Sequence, residues 1–285
     1  MQVTALTMAS LDLSSPEKYR AELTGLLKKS GTGLAVLPAY SALLLGVSTG
    51  AIPPAESFQK TFKDYIDRHL TWNDTYLELH EKIAREMGIY LAAGTVIERE
   101  KDLLYHTVYC FNPQGEPCLR QRQTHLTPFQ LSIGLSRGEE LPLFDLPPYK
   151  VGIIVDSDAL HPETGRILGL QGADIVLHCG ALSEGLNCWR QVAGMWSQVQ
   201  QNQFWAVEAQ LSGNLAGERF GAAPAVIGPC EITPGKSGYL QRGYPHTAEV
   251  TAELDEAARR ELIRKYPLLK LLNWQAYSEL YREES

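Results

Sequence analysis

Four polar side chains that could take part in chemistry follow a short apolar run near the middle of the chain. The run is Val151–Val155, and the side chains after it are Asp156, Asp158, His161 and Glu163. Oxygen-rich clusters of this kind can hold Mg²⁺ or Ca²⁺. Alternatively, Asp156 could receive an amine or a guanidinium group, because a carboxylate in a partly closed pocket needs a partner. The third possibility, which we favour, is that hydrogen bonds within the turn itself satisfy Asp156.

The cysteines are the second set of residues with reactive side chains. They stand at positions 110, 118, 179, 188 and 230, and no two of them have the Cys-x-x-Cys spacing of metal or redox sites. His178 precedes Cys179, but neighbouring residues of an extended strand point to opposite faces, so a thiol–imidazole hydrogen bond is not expected. We predict a buried structural role for Cys179 and free thiols elsewhere.

The elements around Asp156 have the order strand, turn, helix, strand. The apolar run predicts the first strand, Pro162 and Glu163 begin a helical pattern, and residues 172–179 predict the next buried strand. A sharp turn between a strand and a helix exposes one side chain at the carboxyl end of the strand. We call this turn, residues 156–161, the elbow, and Asp156 is the side chain that it is expected to expose.

The rest of the chain alternates between predicted helices and strands, without an internal repeat, a low-complexity linker or a break in composition. Strands are predicted at residues 2–8, 33–38, 89–96, 103–111, 204–209, 224–227 and 248–254, with a return strand that leads to residue 123. Helices are predicted at residues 16–29, 58–70, 76–87, 186–202 and 255–264. This order predicts a layered α/β fold and a single domain over residues 1–285.

Composition limits the classes of function. The chain has 285 residues, of which 44% are hydrophobic, and a formal net charge of −7. No basic block is present, so nucleic-acid binding is not expected. No apolar run approaches the roughly 20 residues that cross a bilayer, and residues 1–8 lack the pattern of a signal peptide. We therefore expect a cytoplasmic protein that does not bind membranes.

Several segments together resemble the nitrilase, or carbon–nitrogen hydrolase, superfamily. They are the elbow with Glu163, the apolar strand Gly33–Pro38, Arg122 with Thr124–Leu126, and the residues Trp189, Asn202, Gly213, Phe220, Gly221 and Pro229. Their order and spacing carry the resemblance, which covers nearly the whole chain. It implies a four-layer α-β-β-α sandwich that usually pairs into a dimer. It also implies that Asp158 and Glu163 are acids kept for structure, so no metal site is expected.

The resemblance also implies where the catalytic residues should stand, and this chain has other residues there. The family's general base, a Glu, follows the strand-ending proline, where this chain has Ala39. The family's Lys lies between the Arg and the Thr-His-Leu segment, where this chain has Gln123. The nucleophilic Cys stands seven residues before the Glu of the elbow, where this chain has Asp156.

The chemistry of the family depends on those three side chains. Attack of a thiolate on an amide or nitrile needs a base to take the thiol proton and a cation to hold the developing oxyanion. Loss of a general base typically costs about 10²–10⁴-fold in rate, and loss of one oxyanion donor costs about 10²–10³-fold. Ala39 accepts no proton, and Gln123 carries no charge. Turnover of the family's kind is therefore expected to be negligible.

We predict a catalytically inactive protein that acts as a binding, scaffolding or regulatory subunit, in a homodimer or a larger homo-oligomer. Two alternatives are a divergent amidase-like hydrolase that acts on a small amide or amine through Asp156, and a sensor that keeps the old pocket for a small molecule. The candidate pocket residues are Tyr40, Gln123, Asp156, Ser157, Ala181 and Leu182. The pocket is either open and polar or filled by Tyr40 and Leu182. No cofactor is expected, and a partner would be another protein or a small-molecule ligand.

Overall fold

Two mixed sheets of six strands each form the centre of the computed structural model, which describes residues 1–185 and 188–278. The strands are β1 (Gln2–Leu6), β2 (Leu34–Val36), β3 (Tyr90–Glu100), β4 (Leu103–Phe111), β5 (Pro117–Arg122), β6 (Phe144–Leu146), β7 (Tyr149–Val155), β8 (Ile175–Gly180), β9 (Trp205–Gln210), β10 (Ser212–Leu215), β11 (Glu218–Gly221), β12 (Ala225–Ile227), β13 (Tyr239–Arg242) and β14 (Glu249–Glu253). The first sheet has the order β14-β1-β2-β3-β4-β5 and the second has the order β13-β12-β9-β8-β7-β6, while β10 and β11 pair as a separate hairpin.

The helices cover the outer faces of the two sheets. They are α1 (Pro16–Ser30), α2 (Ser41–Ser48), α3 (Phe58–Arg68), α4 (Trp72–Met87), α5 (Pro128–Ser132), α6 (Pro162–Leu170), α7 (Cys188–Gln191), α8 (Ser197–Asn202), α9 (Glu256–Lys265) and α10 (Trp274–Ser278). Helix α1 begins after Ser15, whose side chain accepts a hydrogen bond from the backbone N–H of Lys18, and ends at Gly31 with a φ of 60°. Within the described part of the chain, no helix has the length and apolar character needed to cross a membrane.

Three apolar cores separate four layers. The core between the sheets combines Val3 and Val36 of the first sheet with Ile153, Leu177 and Val207 of the second. Another core lies between the first sheet and the helices α1 to α4, and a third lies between the second sheet and the helices α6 and α8. The α-β-β-α sandwich that the resemblance implied is therefore confirmed.

The strands β7, β8 and β9 lie side by side and run parallel. Strand β8 is buried along its whole length, as expected for a parallel strand covered on both faces. Because the carboxyl ends of parallel strands meet at one edge of a sheet, the residues that follow β7, β8 and β9 come together there. This edge carries the elbow.

The helix predicted over residues 186–202 is interrupted in the structure. Residues 186 and 187 lie outside the described residues, and α7 and α8 are separated by a turn of π-helix at Val192–Trp196. Gly194 leaves the helical conformation, with φ of −81° and ψ of −114°. A β-carbon at Gly194 would lie 3.3 Å from the carbonyl oxygen of Ala159, so glycine allows the chain to approach the elbow at this break.

Several elements of the structure have no counterpart among the predicted ones: β6, β13, α2, α5, α10 and the hairpin of β10 and β11. Helix α2 is short and nearly uniformly apolar, and most of its residues are buried, so its sequence lacks the amphipathic period that identifies a helix. The hairpin of β10 and β11 has four-residue strands joined at Ala216 and Gly217, and its mixed polar residues do not alternate.

Candidate binding site at the elbow

The elbow places Asp156 in a conformation that few side chains adopt. Strand β7 ends at Val155, and Asp156 has a φ of 48°, in the left-handed region. Aspartate is one of the few residues other than glycine that tolerate this region. A short 3₁₀ helix, Asp156–Leu160, connects β7 to α6. The reversal turns the Asp156 side chain away from the sheet and toward a cavity.

Tyr40 is the side-chain partner of Asp156. Its hydroxyl donates a hydrogen bond to Asp156 Oδ2 at 3.0 Å, although the two residues are 116 positions apart. Burial raises the pKa of the Asp156 carboxyl to about 6, while the Tyr40 hydroxyl, His178 and the backbone at Ala181 oppose this shift. Burial, assisted by Asp156, also raises the pKa of Tyr40, which therefore remains a hydrogen-bond donor. The expectation that the turn itself would satisfy Asp156 missed the Tyr40 hydroxyl.

The cavity at Asp156, which we call the elbow cavity, has a volume of about 260 Å³. Tyr40 and Leu182 line it and do not fill it, so the open form of the pocket is the one observed. Four of its lining residues carry aromatic rings, which we call the aromatic wall: Tyr40, Phe58, Phe129 and Phe220. Four others carry polar side chains, which we call the acidic wall: Asp156, His178, Glu208 and Gln210.

Glu208 is the centre of the acidic wall and is almost completely buried, with 1% of its surface exposed. Its Oε1 atom lies 3.0 Å from His178 Nδ1, and it accepts a hydrogen bond from Gln210 Nε2 at 2.9 Å. Its Oε2 atom accepts a hydrogen bond from Gln191 Nε2 at 2.8 Å. Three partners thus surround this carboxylate, as a buried charge requires.

His178 connects Glu208 to the elbow. Its Nε2 atom lies 3.1 Å from the backbone oxygen of Asp156. Burial lowers the pKa of His178, but the hydrogen bond and the negative charge of Glu208 outweigh burial and raise it overall. The pair therefore favours a protonated His178 beside an ionised Glu208, and this imidazolium also contacts the backbone of Asp156.

Gln123 lies behind the elbow, in a cluster that we call the glutamine cluster: Thr95, His106, Gln123, Gln130 and Ser157. This cluster adjoins the cavity, because Ser157 lines it and Gln130 Nε2 donates to the Tyr40 hydroxyl at 3.4 Å. Gln123 Oε1 lies 2.7 Å from His106 Nδ1 and accepts a hydrogen bond from Gln130 Nε2 at 2.9 Å. Gln123 Nε2 donates to Ser157 Oγ at 2.7 Å and to the backbone oxygen of His125 at 2.9 Å. Burial lowers the pKa of His106 to about 4, so the cluster is neutral.

The structure separates the residues that the sequence grouped together. Five of the six candidate pocket residues line the elbow cavity: Tyr40, Asp156, Ser157, Ala181 and Leu182. Gln123 is fully buried and does not line it. Ala39 is also fully buried, and its backbone N–H donates to the oxygen of Gly180 at 3.2 Å. Of the three positions that the resemblance assigns to catalysis, Asp156 faces the cavity, whereas Ala39 and Gln123 lie behind its walls.

Asp158 serves the backbone of a neighbouring loop. Its carboxylate accepts hydrogen bonds from the backbone N–H groups of Thr124 at 2.9 Å and His125 at 2.6 Å. Within residues 1–185 and 188–278, no group of three or more His, Cys, Asp or Glu side chains is arranged to hold a metal ion. Of the two aspartates of the elbow, Asp156 therefore faces the cavity and Asp158 holds the loop at Thr124 and His125.

Cys179 and His178 point to opposite faces of β8, as strand alternation predicts. The Cys179 side chain lies in the core between the sheets, whereas His178 lines the elbow cavity. Burial raises the pKa of the Cys179 thiol, which disfavours the reactive thiolate.

Glu208, Gln210 and Gln191 are site residues that the sequence did not single out. Glu208 is the only charged residue in a strand that is otherwise apolar up to Ala209, and a charge in such a run needs a buried partner. That mismatch could have marked the position. Phe58 and Phe129 of the aromatic wall carried no comparable signal, because an apolar ring serves a core equally well. Phe220 was noted only as part of the family resemblance.

Comparison with known proteins places these features in context. A model of the family described as "Carbon-nitrogen hydrolase" matches residues 14–260. An omega-amidase of Xenopus laevis, NIT2-A, is 32% identical over 114 residues, which cover 37% of this chain and 41% of the relative. The chain therefore spans less than half the length of that relative. A nitrilase of Pyrococcus abyssi is 34% identical over 175 residues, which cover 61% of this chain and 62% of the relative.

Among solved structures, a mutant of the Nesterenkonia AN1 amidase from the nitrilase superfamily is similar over almost the whole chain. The superposition has a TM-score of 0.77 and covers 98% of this chain and 97% of that one, at 17% sequence identity. At this identity the similarity shows the fold alone.

Proposed function

The chain belongs to the carbon–nitrogen hydrolase family, and from this premise we propose that it is a catalytically inactive member that binds a small molecule in the elbow cavity. The observation that carries the proposal is the residue at the elbow. The position that turns toward the cavity holds the carboxylate of Asp156, where the family resemblance implies a thiol. Among the described side chains that line this cavity, none belongs to a cysteine or a lysine.

The residues around Asp156 also support the proposal that the protein does not hydrolyse amides. A carboxylate is a weak nucleophile toward an unactivated amide, and its acyl product needs a base for its hydrolysis. Gln123, at the position of the family's cation, is held in the neutral glutamine cluster. Ala39, at the position of the family's base, is packed in the core. The lack of a general base costs about 10²–10⁴-fold in rate, and the lack of an oxyanion donor costs about 10²–10³-fold, although the two losses are not simply additive.

The open cavity supports binding as the retained function. A volume of about 260 Å³ accommodates a ligand with on the order of ten non-hydrogen atoms, at about 30 Å³ for a water-sized group. The lining combines aromatic rings with a few polar side chains, which is the usual composition of a small-molecule site.

Labelling at the elbow tests this proposal. Asp156→Cys should create a thiol that iodoacetamide alkylates, with the modified residue identified by peptide mass spectrometry. Asp156→Ser is the matched control, because its hydroxyl should not react. The wild-type protein should release no ammonia above background from a panel of small amides and nitriles. Turnover by the wild type that Asp156→Asn abolishes would contradict the proposal.

The alternative is a hydrolase that uses Asp156 in a rebuilt site. One observation favours it: burial raises the pKa of Asp156 to about 6, close to the value that suits a general acid or base at neutral pH. A hydrolase of this kind would show a rate that depends on pH around 6 and on the Asp156 carboxyl. The same ammonia assay, repeated between pH 5 and pH 8, distinguishes the two functions.

We also infer that two copies of the chain associate. Exposed apolar side chains occur on α6 and on the segment after α9: Ile167, Leu170, Leu271 and Trp274. The two segments adjoin, because a β-carbon at Gly169 would lie 3.4 Å from Leu269 Cδ1. Light scattering should give twice the mass of the chain, and Ile167→Lys with Leu170→Lys should reduce it to one chain. An unchanged mass would contradict this inference.

We propose that the protein is located in the cytoplasm. Cys110, Cys118, Cys179 and Cys230 are all free thiols, which is typical of proteins kept in a reducing environment. Fractionation of cells that express the full chain should recover it with the cytosol, and recovery in another fraction would exclude this location.

A further inference from the structure

We propose that the ligand of the elbow cavity is a small primary amine, bound as an ammonium ion with its nitrogen at Asp156 and its apolar stem against the aromatic wall. This inference rests on the proposed function, since it requires that the cavity binds a ligand. It goes further because it assigns the charge, the donor groups and the orientation of that ligand.

The charges around the cavity favour a cation. Three carboxylates line the cavity, those of Asp156, Glu208 and Glu218, against the imidazole of His178 and the guanidinium of Arg190. His178 is already paired with Glu208. Arg190 lies on an exposed part of the rim, where water screens its charge. The carboxylate of Asp156 therefore has no cationic side chain of its own inside the described part of the cavity.

Three buried donor residues of the cavity, Tyr40, His178 and Gln191, are already committed to protein acceptors, which leaves the guanidinium of Arg190 on the exposed rim and one N–H of Gln210. The Tyr40 hydroxyl donates to Asp156 Oδ2. Both ring nitrogens of His178 have acceptors, Glu208 Oε1 and the backbone oxygen of Asp156. Gln191 Nε2 donates to Glu208 Oε2 and to the backbone oxygen of Ala223. A carboxylate or an amide oxygen placed between these groups would find few donors.

The acceptors, in contrast, have unused capacity. Gln210 has 3% of its surface exposed and lines the cavity, and its Oε1 atom accepts no hydrogen bond. A buried acceptor without a donor typically costs about 1–3 kcal/mol. Asp156 accepts hydrogen bonds from the Tyr40 hydroxyl and from the backbone at Ala181, whereas an ionised carboxylate has about four acceptor positions. An ammonium group brings three donors and no acceptor, which is what this side of the cavity lacks.

The aromatic wall provides the surface for the rest of the ligand. The ring of Tyr40 lies 5.2 Å from that of Phe58 in an edge-to-face arrangement. The Phe58 ring is in turn 5.7 Å from Phe220 and 6.4 Å from Phe129, measured between centroids. Aromatic faces attract cations and bury alkyl chains. Because Tyr40 belongs to this wall and also contacts Asp156, the stem of an amine can follow the rings while its nitrogen reaches the carboxylate.

The test compares four-carbon ligands that differ only in their polar group. Butylamine, butyramide and butyrate are titrated into the full-length protein at pH 8 by calorimetry, and ethylamine and benzylamine extend the amine series. We expect at least one amine to bind at least tenfold more tightly than butyramide and butyrate, since hydrogen bonds to a charged group are the stronger ones. Release of ammonia from butyramide is measured in parallel.

Substitution of the carboxyl identifies the contact. Asp156→Asn keeps the shape of the side chain and removes its charge, and should weaken amine binding about tenfold or more. Asp145→Asn, the same change on an exposed residue of β6, should leave binding unaltered. Circular dichroism and thermal unfolding confirm that both variants are folded. Amine affinity should also fall as the pH is lowered through about 6, because Asp156, which faces Tyr40, Asp158 and His178, becomes protonated.

The outcomes separate this inference from the proposed function. Butyramide that binds as tightly as the amines, or an Asp156→Asn variant that keeps full amine affinity, would overturn the inference and leave a binding protein. If no ligand binds at concentrations up to roughly 10 mM, which corresponds to less than about 3 kcal/mol, both ideas are wrong. Hydrolysis of butyramide would overturn the proposed function.

Discussion

The glutamine cluster and the acidic wall lie on two sides of the elbow and differ in how their hydrogen-bonding capacity is used. In the glutamine cluster, both atoms of the Gln123 amide have protein partners, and His106 is bonded at both ring nitrogens. In the acidic wall, Gln210 Oε1 has no partner, and Asp156 faces an open cavity. The first cluster is neutral, and the second contains carboxylates and an imidazole.

This difference separates a structural cluster from a candidate binding site. A saturated, neutral cluster has nothing to offer a ligand, and its role is to connect β4, β5 and the elbow. A charged wall that contains an unpaired buried acceptor is less stable on its own, which is what the proposed ligand would relieve. The resemblance implies that Gln123 and Asp156 stand at catalytic positions of the family; in the structure Gln123 is enclosed, whereas Asp156 faces the cavity.

The largest expected effect comes from removing the imidazole of the acidic wall. His178→Phe leaves the buried Glu208 without its cationic partner and should lower the free energy of unfolding by about 3–5 kcal/mol in urea denaturation. Because Glu208 raises the pKa of His178 in the folded state, the contribution of His178 is full below its ordinary pKa and decreases as the pH rises through the raised value. In a Glu208→Leu background, the same change should have a much smaller effect. A loss below about 1 kcal/mol would mean that the wall is not charged.

A smaller loss is expected for the glutamine cluster. Gln123→Leu leaves His106, Ser157 and Gln130 without a partner and should reduce the free energy of unfolding by about 2–3 kcal/mol. Ligand affinity should change much less than stability, because Gln123 does not line the elbow cavity and reaches it only through Ser157 and Gln130. Gln114→Leu, at an exposed position of a turn, is the control and should have almost no effect. Loss of ligand binding without loss of stability would show that the two clusters are not separate.

In contrast to these two substitutions, removal of the Asp156 charge should increase the free energy of unfolding. The pKa of Asp156 is raised to about 6 in the folded state, so ionisation destabilises the protein as the pH rises from about 4 through 6. Asp156→Asn removes this penalty and should stabilise the protein by about 1–2 kcal/mol above pH 6, a value reduced for contact with the open cavity. Near pH 4 the variant and the wild type should unfold alike. Equal stability at pH 8 would show that Asp156 is already satisfied.

The smallest effect is expected on the other face of β8. Cys179→Ala removes one buried atom from the core between the sheets and should cost about 1 kcal/mol. Binding should be unaffected, because the side chain points away from the elbow cavity. Calorimetric titration with the same amines measures this directly. A loss of binding, or of any ammonia release, would implicate this thiol in the site after all.

Local pattern predicted the position of the elbow. The apolar run Val151–Val155 is a strand in the structure, and α6 begins at Pro162 as the helical signal indicated. The alternation of β8 correctly separated His178 from Cys179. These features depend on residues that are close in sequence, and the polarity of neighbouring residues is enough to predict them.

The partners of these residues could not be predicted in the same way. His178 and Glu208 are direct neighbours because β8 and β9 pair in parallel in the register observed, and a shift of one residue would point Glu208 to the other face. The break at Gly194, which lets α7 and α8 approach the elbow, also depends on the packing against Ala159. Neither fact is visible in the periodicity of a single segment.

The sequence by itself therefore determined the family, the four-layer fold and the presence of a carboxylate at the end of β7, because these follow from residue type, order and spacing. Only the tertiary structure decided that Tyr40 donates to Asp156 across 116 positions, that Gln123 is enclosed, and that Glu208 joins the cavity. The physical reason is that a hydrogen bond acts over about 3 Å. Which donors and acceptors come that close is set by strand register and layer packing, not by distance along the chain.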